Sequence, residues 1–584
     1  QRGAVPAGGS AVKLTGGAIV TRALEDEGIE LTFGIPGTHN IELYDALSES
    51  STVRTVLVTD EQSASFMADG AWRATGRMAC ANLVPGAGLT HAMSGVAEAF
   101  MDNVPMLVLG CGVRRDLGWA FQLHDVDQES IARPVVKGTF RPGTGAELYG
   151  TIREACRLAR SGAPGPVFVE VPVNLYLFTH DVELRQPDID VETPGVYGTL
   201  LQEAAELIRG AARPLLYVGA GALGATQDVL RLAELLDAPV STTIQGKGVF
   251  PEEHPLFLWP GFGHTAPKFV RKIADQCDVT IAVGCRFSEV GTGSYALKPK
   301  GTLIHIDIDP LVLNRNFEAE IAIAADAHQA LASLIELLGA PRGRDEARRE
   351  RIRTGHADVW EDWLADVGGE RVTPAHLLRT AQRVFGPKAV YTTDSGNGTF
   401  LAMECLRLAA PRHFLAPVDY SCMGYSVPAA LGAKLADPEA PVIALAGDGA
   451  FLMTGLELLT AVQEGIGAIV LVLRDGELAQ ISQFQSTAMN RKVASAVHDY
   501  ELEHFAAAMH APYLRIHNDD MVETILREAD EVARSGRPVL VEVDIDYARK
   551  TFFTKGVVKA NLHRLPLPDR ARFIGRAVMR KFTE

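Results

Sequence analysis

The stretch GDGAFLMTGLELLTAVQEGIGAIVLVLRDGE, from Gly447 to Glu477, carries two aspartates in positions suited to chemistry. Asp448 follows the apolar run PVIALAG and Asp475 follows AIVLVLR, so each stands just past a strand-like segment. In an open α/β sheet the carboxyl ends of successive parallel strands converge on the ligand crevice. Two carboxylates converging there, flanked by glycines, fit a hard divalent cation and, through it, a bound phosphate. The helix that begins at Gly-Asp-Gly would turn free backbone amides toward that anion. A third acid, Glu61 in VTDEQSASF, also sits where a strand enters a helix. A second glycine turn, Gly219-Ala-Gly221-Ala-Leu-Gly224, has the spacing of a dinucleotide loop. Its next strand, APVSTTIQGKG, ends without the acid that a nicotinamide ribose needs, so it reads as a tight strand-to-helix turn.

Positioning such groups requires alternating strands and helices, and the chain supplies them almost throughout. The expected fold class is α/β, with three doubly wound parallel-sheet domains. A first domain over 11–180 contains LTFGIPG, RTVLVTDE, ACANLVPGAG, MLVLGCG and PVFVEVP as strand-then-turn units. The polar stretch LRQPDIDVETPG reads as a linker. A central domain over 196–340 contains LLYVGAG, TIAVGCR and TLIHIDID. The charged helical run RGRDEARRERIRTGHADVWEDW leads to a third domain over 370–550, with KAVYTTDSGNG, HFLAPVDYSCMG, PVIALAGDG and AIVLVLRDG. The tail over 551–584 has Phe573, Ile574, Ala577, Val578 and Phe582 on one helical face and basic residues elsewhere, which suits an active-site lid or a membrane-surface helix.

The bulk properties narrow the function classes. At 584 residues the chain is too long for one core, and the length points to about three or four domains. A net charge of -16 argues against general nucleic-acid binding. No apolar run approaches the ~20 residues that span a bilayer. The opening QRGAVPAGGS lacks an apolar signal core and reads as a flexible lead-in. Seven scattered cysteines without a CxxC pair suit buried thiols in a reducing cytoplasm.

GDG followed by a second strand-end ligand, 27 residues on from 448 to 475, resembles the diphosphate–metal signature of thiamine diphosphate enzymes. Over nearly its full length the chain is similar to the acetolactate synthase branch of that superfamily. GIPGTHNIELYDAL, DEQSASFMADGAWRATG, GVAEAFMDNVP, GPVFVEVP, HIDIDP and SCMGYSVPAALGAKLA carry the resemblance by their order and spacing. It implies a pyrimidine-binding first domain, a central domain and a diphosphate-binding third domain. It further implies a homodimer or homotetramer with active sites at the subunit interface.

The resemblance implies roles residue by residue. Asp448, Asp475 and the carbonyl of Glu477 correspond to the Mg²⁺ ligands, with Asp475 where the family usually carries asparagine and Arg474 as a cation that offsets the added charge. Gly447, the amides of Gly449 and Ala450, and the turn at Asn397–Gly398 correspond to diphosphate contacts. Glu61 corresponds to the acid that hydrogen-bonds the cofactor's aminopyrimidine, the carbonyl of Ser421 to the acceptor of its amino group, and Met423 to the apolar residue that holds the cofactor bent. His39 replaces a small residue and is either an incidental loop histidine or a proton shuttle. In AFQLHDVDQESIARP, counting back from Arg133-Pro134 selects His124 as the active-site counterpart of a glutamine, whereas the Phe-Gln dipeptide selects Gln122. Arg286, Asp307 and Asp326 resemble FAD contacts, which makes a structural flavin a further expectation.

The substrates expected are a 2-oxoacid donor, pyruvate above all, and a carbonyl acceptor. Acetolactate synthases grip a carboxylate acceptor with an arginine where this chain has Val290 and carry a lysine where it has Val173. Gln480 and Phe484 stand where they have methionine and tryptophan. A neutral ketone or aldehyde is therefore the expected acceptor, with Arg114 or Arg115 as alternative sources of the missing charge. The competing readings are acetolactate synthase proper and a non-catalytic nucleotide-binding protein that retains the fold.

Overall fold

The computed structural model describes residues 11–185 and 198–583; the lead-in QRGAVPAGGS and residues 186–195 of the linker lie outside them. Three six-stranded sheets, flanked by helices, organise the chain, and every strand pair within them is parallel.

The first sheet runs, in spatial order, through Arg54–Leu57, Leu31–Gly34, Cys80–Leu83, Leu107–Gly112, Val167–Pro172 and Thr139–Phe140. Leu107–Gly112 and Val167–Pro172 are buried along their whole length, which is why they read as unbroken apolar runs rather than as alternation. A small antiparallel pair, Val12–Thr15 with Thr179–Val182, joins the two ends of this domain. The same compact unit takes in residues 427–440 and 454–468 from much later in the chain. Helix Glu61–Thr75 meets helix Ser426–Ala436 there through glycine: a Cβ on Gly70 would lie 2.2 Å from the Ala429 carbonyl oxygen, and one on Gly432 only 2.0 Å from that of Met67. No side chain larger than hydrogen fits either crossing point.

The second compact unit holds the other two sheets. The central sheet runs Phe257–Pro260, Val240–Thr242, Pro214–Val218, Val279–Val283, Thr302–Asp307, Ile321–Ala324. The third runs Phe414–Leu415, Val390–Thr393, Val442–Gly447, Ile469–Arg474, Val539–Asp544, Tyr513–Ile516. Neither Ile321–Ala324 nor the last two strands of the third sheet stood out in the sequence. The charged run forms helix Glu346–Leu364, anchored where Arg348 pairs with the buried Asp237 at 2.7 Å.

The tail is helical, as its periodicity requires, in two pieces: Phe552–Arg564 and Leu567–Thr583. The first piece is tied down by the buried Glu404, whose carboxylate accepts from the amides of Phe552 (3.1 Å) and Phe553 (2.8 Å), while Phe553 stacks on Phe400 with ring centroids 4.0 Å apart. The second reaches helix Ala479–Met489 through Arg580, which donates to the Met489 carbonyl at 2.9 Å. Ile574 remains half exposed, and the side chains of Ala577, Val578 and Phe582 lie outside the described residues. Among the described residues no helix is long and apolar enough to cross a membrane. All seven cysteines are free and six are buried.

Replacing Glu404 by alanine leaves the buried Phe553 amide and the half-buried Phe552 amide without an acceptor, at a cost of ~1–3 kcal/mol for the buried one. Glu404→Ala is expected to loosen the tail before the rest of the fold, seen as early proteolytic cleavage between residues 550 and 570 at temperatures where the wild type is uncut.

Candidate active site

In the third sheet, strands Val442–Gly447 and Ile469–Arg474 are neighbours, so the residues that follow them are brought side by side. Asp448 opens helix Asp448–Thr454 and is buried. Its Oδ1 accepts from the Gly449 amide at 2.7 Å and its Oδ2 from the Gly476 amide at 2.8 Å, lacing the two strand ends together. Burial pushes the Asp448 carboxyl up from its ordinary value. Asp475 is pushed further, to about 7, by burial first and by the charge of Asp448 second. Two half-dehydrated carboxylates that oppose each other's ionisation form a donor set short of positive charge, and a divalent cation fits it. Asn397 and Gly398 form the first turn of helix Asn397–Cys405. Arg474 turns away from Asp475: it pairs with Asp499, donates to the Tyr500 carbonyl at 2.7 Å and stacks on the Tyr500 ring at 4.7 Å. Its charge favours ionisation of Asp448, whereas Arg371 does so for Asp475. The side chain of Glu477 is held by Lys492 at 2.6 Å, so its carboxylate is committed elsewhere.

The surroundings of this pair are tightly fitted on one side and open on the other. A Cβ on Gly449 would lie 2.5 Å from Leu478 Cδ2, with the half-buried Met423 Cε at 3.8 Å, whereas a Cβ on Gly447 would meet nothing within 4 Å. Ala450 is buried behind them. Ser421 holds a left-handed φ of 65° with its hydroxyl 2.8 Å from that of Ser395. Gln480, near the start of helix Ala479–Met489, has a buried Oε1 without a hydrogen-bond partner among the described residues. Phe484 follows one turn later and is half buried. Val290 packs against the core, and its neighbour Glu289 lies 3.8 Å from Arg564.

In the first unit, Glu61 is the first residue of helix Glu61–Thr75, capped by Asp60, whose carboxylate accepts from the Gln62 amide. The buried Glu457 fixes the turn that leads into it, accepting from the Thr59 amide at 3.0 Å and hydroxyl at 2.5 Å. Gly88 lies against the Glu61 carboxylate: a Cβ there would be 3.1 Å from Oε1. His39 and His124 meet edge to face with ring centroids 5.6 Å apart, and burial followed by the neighbouring His124 lowers the His39 pKa. Gln122 donates instead to the Arg114 and Trp119 carbonyls of its own loop, at 2.8 and 3.3 Å. Of the two residues that sequence counting left open, His124 is the one beside His39. Arg114 is engaged by Asp116 at 2.6 Å and Arg115 faces Glu170 at 3.5 Å, while Val173 is buried.

Arg286 and Asp326 follow, and Asp307 ends, three adjacent strands of the central sheet. Arg286 closes a 2.6 Å ion pair with Asp419, and Asp326 caps helix Ala327–Leu338 by accepting from Gln329. Asp307 is buried, with its carboxyl pushed up to about 6, chiefly by desolvation. The buried acid fits a ribose hydroxyl; the other two side chains are already satisfied internally, so the fit to a flavin is incomplete. Sequence reasoning missed Arg371 and Tyr500, which belong to no motif, and Glu457, which lies within the opening stretch itself. It also missed His91, for which a signal existed: it lies three residues after Gly88, hence on the same helix face.

Comparison with known proteins places these features in a family. Residues 14–131 match the thiamine pyrophosphate enzyme N-terminal TPP binding domain, 201–334 the central domain and 394–543 the C-terminal TPP binding domain. The chain is 32% identical to the probable acetolactate synthase large subunit of Methanocaldococcus jannaschii, over 92% of each protein. It is also 32% identical to the acetolactate synthase isozyme 3 large subunit of Escherichia coli, over 91% of this chain and 95% of that one. With the acetolactate synthase of Mycobacterium bovis the identity is 31%, over 91% and 88%.

A raised carboxyl pKa favours the protonated folded state, so in metal-free protein Asp475 subtracts stability as pH rises from about 4, its ordinary value, through about 7. The expected result is a melting temperature that falls over this window without metal, a smaller fall in Asp475→Asn, and recovery by Mg²⁺ above pH ~7 in the wild type. Thermal melts across pH with and without Mg²⁺ measure it.

Proposed function

Because this chain belongs to the thiamine pyrophosphate enzyme family, we propose that it is a decarboxylating carboligase acting on a 2-oxoacid such as pyruvate, with a neutral ketone or aldehyde as acceptor of the two-carbon unit. Thiamine diphosphate, when bound, supplies the nucleophilic carbon and the electron sink that decarboxylation needs. Asp448, Asp475 and the Glu477 carbonyl would hold Mg²⁺, while Gly447, the amides of Gly449 and Ala450, and Asn397 with Gly398 would receive the diphosphate. Met423 and the Ser421 carbonyl would orient the rings. Glu61 holds and moves one proton at a carboxylate oxygen, a role its buried, capped position supports. His39, with its pKa lowered, stays neutral near pH 7 and can accept or return a proton at a ring nitrogen. His124 keeps that ring oriented.

The observation that carries the acceptor assignment is the buried Oε1 of Gln480, which has no partner among the described residues. Such an oxygen costs free energy until a donor meets it, and the hydroxyl of a hydroxylated ketone or aldehyde is a donor. No carboxylate can fill that role. Val290 and Val173, standing where a cation would grip a second 2-oxoacid, agree with it. The second reading, acetolactate synthase proper, is favoured by the names of the relatives and their near-complete coverage. We also assign FAD, at most, a structural place at Asp307. The assembly implied by the family is a homodimer or homotetramer with active sites at subunit interfaces, and the tail, resting on the helix of Gln480, is assigned the role of lid.

Glu61→Gln is expected to lower turnover more than tenfold, about 1.4 kcal/mol in barrier, with cofactor binding largely retained. Competition between pyruvate and neutral carbonyl acceptors at equal concentration, analysed by product, is expected to give mainly the neutral-acceptor product. Gln480→Leu is expected to lower that product about tenfold while sparing decarboxylation. Dominant acetolactate would establish the second reading instead.

A further inference from the structure

The first turn of helix Ala87–Met101 is shaped around Glu61. Gly88 admits the Glu61 carboxylate, since a Cβ there would crowd both Oε1 at 3.1 Å and Val84 Cγ2 at 2.8 Å. One turn further along the same face stands His91. Its Nδ1 is 3.6 Å from Glu61 Oε2 and 3.3 Å from Asp60 Oδ2, and among the described residues these three side chains form the one group of three ligand-type residues whose ligand atoms all lie within 4.8 Å of one another. Asp60 is fixed in turn, because it caps the helix through the Gln62 amide at 2.8 Å. The exposures differ in a telling way: the Glu61 side chain is 10% exposed and that of His91 58%. A buried acid that must gain and lose a proton thus lies beside an imidazole that is itself largely exposed.

We propose that His91 is a positioning and proton-relay residue for Glu61, an inference that rests on the thiamine diphosphate reading above. In the loading direction the Nδ1–H bond breaks as an Oε2–H bond forms on Glu61, and Nε2 takes one proton from solvent. The reverse sequence discharges Glu61, so charge and protons balance with water as the only co-reactant. The 3.6 Å gap is closed by a small side-chain rotation or by one bridging water. Asp60 holds the ring so that Nδ1, rather than Nε2, faces the acid. A histidine that only packed against the helix would need neither carboxylate, nor the glycine that lets Glu61 approach.

The test uses the full-length protein loaded with thiamine diphosphate and Mg²⁺. Two quantities are measured in wild type, Glu61→Gln, His91→Ala and His91→Gln: the cofactor dissociation constant, and the rate at which the bound cofactor's reactive-carbon proton exchanges for deuterium. The expected result is unchanged cofactor affinity in both His91 variants, with exchange slowed about tenfold. Added imidazole should restore exchange in His91→Ala and leave His91→Gln, which has no room for it, slow. Exchange at the wild-type rate in both variants, or a loss in His91→Ala that imidazole does not restore, overturns the relay. Absence of cofactor binding in the wild type, or normal exchange in Glu61→Gln, overturns the underlying reading instead, so the two failures are told apart.

Discussion

Two carboxylates at the end of one parallel sheet, each opposing the other's ionisation, set the conditions to which the neighbouring residues respond. Register alone brings Asp448 and Asp475 together, since Gly447 pairs with Leu473 across the two strands that carry them. Amides from Gly449 and Gly476 take up part of the charge on Asp448, and Arg474 and Arg371 act on the two acids from a distance. The remaining imbalance is best met by a small, doubly charged ion. The same crowding explains why Gly449 has no side chain: Leu478 already occupies the space.

Much of this was legible in the sequence, for definable reasons. Buried parallel strands announce themselves as apolar runs, and residues at their ends follow from the fold class, so Asp448, Asp475 and Glu61 could be placed without coordinates. Side-chain direction could not. Arg474 looked like a counter-charge for Asp475 because the two are adjacent, yet adjacent residues at a strand end point to opposite sides, and Arg474 is drawn to Asp499 and Tyr500. The choice between Gln122 and His124 hinged on a loop with positive φ at Phe121 and His124, a conformation that no motif encodes. Ile321–Ala324, with its two alanines only partly buried, carries too little apolar bulk to read as a buried strand.

The glycines at 70 and 432 show the other kind of information that one sequence hides. Each looks like an ordinary helical glycine, a mild destabiliser. In the fold they allow two helices from distant parts of the chain to touch backbone to backbone, and they make the first compact unit discontinuous in sequence. The helix that carries Glu61 is thereby built partly against residues more than 350 positions downstream, as 70 and 429 illustrate.

The tether between Glu404 and the start of the tail bears on how the protein is made. During synthesis the strands and helices around Glu404 emerge from the ribosome long before Phe552 and Phe553 do. Until then its carboxyl group has neither amide to receive, and in that interval it stays protonated or hydrated. The third domain therefore gains this tether only after its last strand, Val539–Asp544, has been made. A nascent chain stalled before residue 552 would lack both hydrogen bonds and leave the Glu404 carboxylate without these donors.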